Sequence, residues 1–177
     1  LSPADFNQTH AATVAAAHHI GPVYLRFGRP KVPVFLRPDA PFEIGKAQHL
    51  AHGNDVTVVA TGHLVWEAVK ATRILAERGL RVDLLNIHTI KPLDTAAIVE
   101  SAARTGAVVV AEEHQRIGGL GALVAQACAA HAPSRIEFVA VNDRFGQSGT
   151  PAQLLDAYGL NAEAIVRAAE RVHVATT

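Results

Sequence analysis

The chain of 177 residues lacks methionine and has one cysteine, Cys128. A single cysteine excludes an internal disulfide and a metal site built from cysteines, and it suits a reducing compartment, so we expect a cytoplasmic protein. The apolar runs, such as residues 107–111, are far shorter than the ~20 residues of a membrane-spanning helix, and we expect no membrane partner. There is no signal-peptide pattern. Because the chain begins at Leu1, we expect it to be processed or truncated.

Neither sign of charge is in excess, since 16 lysines and arginines balance 16 aspartates and glutamates. This balance argues against a nucleic-acid or anionic-membrane partner that is held by bulk charge. Hydrophobic residues make up 49% of the chain and charged residues 18%, a composition that can bury a sizeable core. The sequence therefore predicts a folded globular protein.

The first 54 residues differ in pattern from the rest. Residues 1 to about 20 predict one helix, which would begin at Ser2-Pro3-Ala4-Asp5, and Val23–Phe27 predicts a short strand. Four prolines follow within a dozen residues, so residues 31–54 predict a linker with at most one short edge strand near residues 47–50. We place a domain boundary in this linker.

From residue 55 onward, strand patterns and helix patterns alternate. Buried strands are predicted at residues 56–61, 82–87, 107–112 and 136–141, and amphipathic or capped helices follow each of them. One of these helices is predicted to begin at Pro92-Leu93-Asp94, and another at Thr150-Pro151-Ala152-Gln153, which has the form of a capping box. Short connections between such units require right-handed crossovers, which give a mostly parallel sheet covered on both faces. The predicted fold is therefore α/β, with three αβα layers.

Polar side chains stand where these strands end, which is where ligands bind in such sheets. The groups are Thr61 to His63, Asn86 with His88 and Thr89, Glu112 to Gln115, and Asn142 to Arg144. Polar loops are also expected at exposed strand ends, and we favour that explanation, or a protein contact, over a dedicated small-molecule site.

Two constellations invite a metal or nucleotide interpretation. His63, His88, His114 and Glu113 come from different strand ends without a helical His pair, which favours solvated or interface-bonded histidines over a metal site. The glycines in Gly118–Gly121 lie too far past the strand for a dinucleotide turn and follow two acids, so we favour close helix–sheet packing.

The remaining reactive side chains have structural explanations. Cys128 lies on the apolar stripe of its helix and is expected to be a buried small hydrophobe. Glu112 and Glu113 point to opposite faces if both lie on the strand, which makes a poor acid–base pair.

Arg29 follows the predicted Val23–Phe27 strand. Its planar guanidinium suits a phosphate or carboxylate at the sheet edge, and pairing with a neighbouring acid is an equally good explanation.

Several segments, taken in order, resemble the C-terminal part of transketolases. They are Ser2-Pro3-Ala4-Asp5, the stretch GPVYLRFGRP at 21–30, NIHTIKPLD at 86–94, EEHQ at 112–115 with GGLG at 118–121, and DRFGQSGTP at 143–151. The stretches around residues 88–94 and 143–149 are most similar to the C-terminal subunit of bacterial split transketolases. The β chains of 2-oxoacid dehydrogenase E1 and the deoxyxylulose-phosphate synthases are similar in outline, with a different residue where His88 stands.

This resemblance implies a C-terminal section of a thiamine enzyme. Residues 1–30 would be the last helix and strand of a pyrimidine-binding domain, residues 31–54 the linker, and residues 55–177 the transketolase C-terminal domain. The intact enzyme would use thiamine diphosphate and Mg²⁺ to move a two-carbon ketol unit between sugar phosphates, as in the pentose phosphate pathway. The partners implied are an N-terminal transketolase chain or domains, a second copy in a dimer, and the sugar phosphate.

The resemblance transfers one functional residue, Arg29, which matches a transketolase arginine that binds the sugar phosphate. The residues that activate the cofactor would lie before Leu1. We therefore assign no catalytic, cofactor-binding or metal-binding residue, expect no cofactor to bind this chain alone, and expect the chain alone to be inactive. The alternatives left open are an autonomous α/β binding or dimerisation module, a fragment of one of the related thiamine enzymes, and a nucleotide-binding protein.

Overall fold

The computed structural model describes residues 1–176, in which strands and helices alternate from the strand that begins at residue 56 to the strand that ends at residue 141. The elements in chain order are α1 (Phe6–His18), β1 (Gln48–Ala51), β2 (Val56–Ala60), α2 (Leu64–Glu77), β3 (Val82–Asn86), α3 (Thr95–Thr105), β4 (Ala107–Gln115), α4 (Leu120–His131), β5 (Arg135–Val141), α5 (Pro151–Tyr158) and α6 (Ala162–Val174).

The strands form one sheet of five in the order β1-β3-β2-β4-β5. The four strands β2 to β5 are parallel, and β1 pairs antiparallel with β3 at one edge. Parallel strands must be joined by crossovers, and here each crossover contains a helix. The carboxyl ends of the parallel strands therefore meet at one edge, which we call the carboxyl edge.

Two hydrophobic clusters cover the two faces of the sheet. Side chains alternate along a strand, so Val58 packs with α2 and α6 on one face, while its neighbour Val59 packs with α3 and α4 on the other. Both valines are completely buried. The three-layer α/β fold predicted from the sequence is confirmed.

The helix starts agree with the sequence patterns near the end of the chain and less well in the middle. Thr150 and Gln153 form the reciprocal capping box at the start of α5 that the sequence predicts. Helix α3 begins at Thr95 rather than at Pro92, because the carboxylate of Asp94 accepts a hydrogen bond from the Ala97 N–H and is the cap.

The predicted start of the first helix is also displaced. α1 begins at Phe6, and its cap is Asp5 rather than Ser2. The buried Asp5 carboxylate accepts three backbone hydrogen bonds, from Gln8 at 2.9 Å, Phe35 at 2.9 Å and Leu36 at 2.8 Å. The Asp5 side chain thus caps α1 and also holds the backbone at residues 35 and 36. No local sequence pattern reveals this second contact, because the residues are far apart in the chain.

The Val23–Phe27 strand predicted from the sequence does not form. Among the described residues its backbone pairs with Leu1 alone, whose amino group donates to the Tyr24 carbonyl at 2.7 Å and whose carbonyl accepts from the Arg26 N–H at 2.9 Å. Within residues 1–176 no strand lies beside this stretch. The β-prone side chains Tyr24 and Phe27 are therefore 82% and 59% exposed.

The edge strand predicted near residues 47–50 is present as β1, and it joins the sheet through β3. Four residues of the predicted 31–54 linker therefore belong to the sheet. The assignment of 1–30 and 55–177 to two different domains stays a prediction.

Replacement of Asp5 by alanine should release α1 and the 35–36 backbone together. We expect D5A to lower the free energy of unfolding by ~2 kcal/mol, since a helix cap and two further buried hydrogen bonds are lost. Urea unfolding measures this loss, and limited proteolysis should cut the variant before residue 48. D39A, which removes an exposed carboxylate nearby, is the control. Equal behaviour of the two variants would contradict the anchoring role.

Candidate functional site

The N-terminal segment, defined here as residues 1–30, lies along the carboxyl edge of the sheet. The Ser2 N–H donates to the His88 carbonyl at 2.8 Å, just past the end of β3. The side chain of Gln8 in α1 accepts from Asn86 at 3.1 Å and donates to Gln48 at 3.0 Å, which joins α1 to both β3 and β1. Hydrogen bonds contribute more than apolar packing to holding α1, whose buried residues are Gln8 and Ala12. Ala4, just before the helix, joins the hydrophobic core.

A charged cluster links the segment to the strand ends. Arg26 pairs with Glu113, and the Nδ1 atom of His63 lies 3.6 Å from the other oxygen of that carboxylate. Burial by itself would raise the pKa of Glu113, but hydrogen bonds from His63 and Arg26 outweigh it and hold the pKa at about 2. Glu113 is therefore ionised at neutral pH and is too weak a base to accept a proton from substrate there.

His88 is a structural side chain beneath the N-terminal segment. Its ring is buried, stacks on Phe42 with centroids 4.2 Å apart, and has Nδ1 3.1 Å from the Thr89 hydroxyl. Burial is the main cause that lowers the pKa of His88, to about 4. The ring is therefore neutral at physiological pH.

His114 does not join His63 and His88 in one site. It lies on β4 with Nδ1 4.0 Å from the Glu112 carboxylate, and burial, followed by the nearby Arg26 charge, lowers its pKa. Glu113 pairs with His63, while Glu112 faces the opposite side of the strand. The two acids thus point apart, as the sequence predicts.

Glu112 occupies the N-terminus of α4. Its buried carboxylate accepts from the N–H groups of Leu120 and Gly121, each at 2.8 Å. A Cβ at Gly121 would lie 2.7 Å from the Phe138 ring, and one at Gly119 would collide with Glu112, so these glycines permit close packing. This confirms the packing interpretation. The residues do not form a cradle for a diphosphate, because a carboxylate already takes the amides that would bind one.

Arg29 lies at the rim of the same edge. Its side chain is exposed, and it has no acidic partner among residues 1–176. It lines a cavity of about 430 Å³ together with His63, Glu113 and Tyr158. The structure therefore contradicts the alternative in which Arg29 pairs with a neighbouring acid. Arg26, not Arg29, pairs with Glu113.

A larger cleft lies beside Arg26, which lines it. It has a volume of about 780 Å³ and is lined by the N-terminal segment, by Glu112 and His114, and by the start of α4. Its wall includes the exposed Tyr24 side chain. Two cavities therefore lie where the N-terminal segment meets the sheet.

The remaining residues singled out from the sequence do not contribute to the charged cluster at the carboxyl edge. Arg144 turns away to donate to the Ala157 carbonyl and lies over the Tyr158 ring, 4.1 Å from its centroid. Cys128 is buried, as predicted, and burial raises the pKa of its thiol. Sequence reasoning misses Arg26 as a site residue, although the acidic pair at 112–113 is a signal that a cation should lie near.

Comparison with known proteins identifies the family of this fold. Residues 45–165 match the family model described as transketolase, C-terminal domain. The chain belongs to the transketolase C-terminal domain family. The family match covers β1 through the start of α6, so the edge strand is part of the shared domain.

The relatives of this chain include subunits of transketolases. It is 43% identical over 171 residues to a 6-deoxy-6-sulfo-D-fructose transketolase subunit of Clostridium sp. (strain MSTE9), covering 96% of this chain and 53% of that protein. It is 35% identical to an apulose-4-phosphate transketolase subunit of Phocaeicola vulgatus, covering 94% of this chain and 54% of that protein. The chain thus spans about half the length of these relatives.

A solved structure supports the same relationship. The chain matches a split-gene transketolase, described as an inactive beta4 tetramer, with a TM-score of 0.93 and 44% identity over 97% of this chain and 56% of that one. The agreement extends beyond the family model to the N-terminal segment. Within residues 1–176, no helix is both long enough and apolar enough to span a membrane.

The buried His88 predicts a pH dependence of stability. The unfolded chain binds a proton at His88 near pH 6.5, whereas the folded protein does so near pH 4, so stability should fall as the pH falls between these values. The loss should reach up to ~3 kcal/mol. H88F keeps a ring against Phe42 but does not titrate, and its unfolding free energy should fall less over this interval. Denaturant unfolding at several pH values gives both curves, and parallel curves would contradict the assignment.

Proposed function

We propose that this chain is the C-terminal part of a transketolase that transfers a two-carbon ketol unit between sugar phosphates. The observation that carries the proposal is the family match together with coverage of about half of the transketolase subunits. On this proposal the chain provides a C-terminal domain and the end of a second domain, and the remainder of the enzyme provides the cofactor site.

Exposed apolar side chains on the N-terminal segment support the proposal that another part of the enzyme packs against it. Ile20, Tyr24 and Phe27 are 99%, 82% and 59% exposed, although their types favour burial. We propose that residues 1–30 complete a pyrimidine-binding domain, residues 31–54 are the linker, and residues 55–177 are the C-terminal domain. The side of the Val23–Phe27 backbone that does not face Leu1 would then join a sheet built mostly from residues outside this chain.

Arg29 is the residue that we propose to bind the phosphate of the sugar substrate. It is exposed, it has no acidic partner within residues 1–176, and it opens onto a cavity at the carboxyl edge. A guanidinium in this setting can offer two parallel N–H donors to phosphate oxygens. Arg26 cannot compete for this role while Glu113 neutralises it.

We propose further that the intact enzyme uses thiamine diphosphate and Mg²⁺, with neither held by this chain alone. The partners would be an N-terminal transketolase chain and a second copy of this one, in the cytoplasm. Two relatives are named for a sulfo-sugar and for apulose 4-phosphate, so a panel of sugars, including those of the pentose phosphate pathway, is the appropriate test of substrate.

The activity assay compares this chain alone with the complex that it forms with the rest of the enzyme. We expect no ketol transfer by this chain with thiamine diphosphate, Mg²⁺ and a panel of ketose and aldose phosphates. Turnover should require both the N-terminal transketolase subunit from the same source and the part of the C-terminal subunit that this chain does not cover, since the chain spans about half of its subunit relatives. Turnover by this chain alone would refute the division of labour, and a complex without ketol transfer would refute the proposed reaction.

A second thiamine reaction should be assayed in parallel. The chain is 35% identical to a 1-deoxy-D-xylulose-5-phosphate synthase of Desulforudis audaxviator, but it covers only 27% of that protein. Decarboxylating condensation of pyruvate with a triose phosphate by the reconstituted complex, without ketol transfer, would favour this alternative.

Loss of Arg29 should weaken phosphate binding specifically. We expect R29A in the reconstituted complex to raise KM for the ketose phosphate ~10- to 100-fold, since one charge-assisted contact is lost. KM for an unphosphorylated ketose should change little. R29K should be intermediate, and R73A removes an exposed arginine on α2 as the matched control. An unchanged KM for the phosphorylated sugar in R29A would exclude the anchor while leaving the reaction intact.

A further inference from the structure

We propose that His49, His52 and Asp83 form a binding site for a divalent transition-metal ion of the Zn²⁺ type. Their ligand atoms all lie within 4.8 Å of one another, and they are the one such group of three within residues 1–176. The site is at the β1–β3 edge near the amino end of β3, away from the carboxyl edge. Sequence patterns predict no metal ligand at these three residues.

The buried carboxylate of Asp83 is the observation that points to a ligand. Its side chain is fully buried, and its Oδ2 atom accepts from the Ser101 hydroxyl and from Arg104 Nη2. Its Oδ1 atom is buried without a hydrogen-bond partner. A buried, unsatisfied carboxylate oxygen is costly, and a cation supplies what it lacks.

The two histidines face that unsatisfied oxygen. Nδ1 of His52 lies 3.6 Å from Asp83 Oδ1 and Nδ1 of His49 lies 4.0 Å from it, and the two rings stack with centroids 5.0 Å apart. Ligand atoms around a tetrahedral zinc ion are separated by about 3.3 Å, since Zn–N bonds are ~2.0–2.1 Å. Small rotations of both the His49 and the His52 side chain, which are 35% and 79% exposed, would close the difference.

The groups around the carboxylate fit a metal site. Ser101 and Arg104 hold Oδ2, so Asp83 is oriented as a ligand through one oxygen, with its other oxygen fixed by partners outside the metal sphere. Two imidazoles and one carboxylate form a donor set that selects Zn²⁺, Cu²⁺ or Ni²⁺ over Mg²⁺ and Ca²⁺. The positive Arg104 beside Asp83 weakens the attraction, which favours moderate rather than very tight binding.

The position of the site indicates what an ion would do. His49 is in β1, His52 follows β1 directly, and Asp83 is in β3, so one ion would join the antiparallel edge strand to the parallel sheet. Since β1 pairs with β3 alone, it is the strand that gains most from such a link. The expected consequence is stabilisation of the edge, with no direct role at the carboxyl edge.

The test measures Zn²⁺ and Co²⁺ binding to the untagged full chain after treatment with a chelator. We expect saturable binding of one ion per chain by equilibrium dialysis, visible Co²⁺ absorption that Zn²⁺ abolishes, and a Zn²⁺-dependent rise in Tm. H49Q/H52Q should bind at least ~10-fold more weakly, lose the Co²⁺ band and show no rise in Tm. These substitutions avoid Asp83, whose loss would also free Arg104 and endanger folding.

The control is H10Q/H131Q, which removes two exposed histidines elsewhere and should bind as tightly as the unaltered chain. Equal Zn²⁺ affinity in H49Q/H52Q and in the control would overturn the proposal, as would the lack of saturable binding by the unaltered chain. Neither result depends on ketol transfer, so the metal site and the proposed function fail separately.

Discussion

The carboxylate of Asp5 is the constraint on which the position of the N-terminal segment depends. It accepts one N–H from the start of α1 and two from the chain at residues 35 and 36, so helix and returning chain share one buried acceptor. The amide cluster of Gln8, Gln48 and Asn86 then fixes the helix against the sheet. Hydrogen bonds are directional, and they set the orientation that brings Arg26 to the carboxyl edge.

The same edge shows how two adjacent acids acquire different tasks. Strand geometry turns Glu112 toward the start of α4 and Glu113 toward Arg26 and His63. Glu112 satisfies backbone donors that would otherwise be available to an anion, while Glu113 connects the sheet to the N-terminal segment. The cofactor chemistry proposed for the whole enzyme is therefore assigned to residues outside this chain. Glu112 and Glu113 instead hold α4 and the N-terminal segment in place at the carboxyl edge.

Local patterns predict the features that local physics determines. Alternating apolar residues identify the strands, and Thr150 with Gln153 identifies a cap, because each signal depends on neighbours in sequence. The cap at Asp5, the partner of Glu113 and the approach of His52 to Asp83 join residues far apart in the chain, and no spacing rule contains them. The Val23–Phe27 prediction is wrong for a different reason: β propensity is present, but the neighbouring strands needed to pair it are not.

The exposed apolar side chains of the N-terminal segment have a consequence for synthesis in the cell. Ile20, Tyr24 and Phe27 face water beside a stretch of backbone that is paired on one side only, a combination that favours self-association. If further residues of the proposed enzyme cover this surface, any copy of this chain made without them leaves it exposed. The covering residues would then be needed for solubility as well as for turnover.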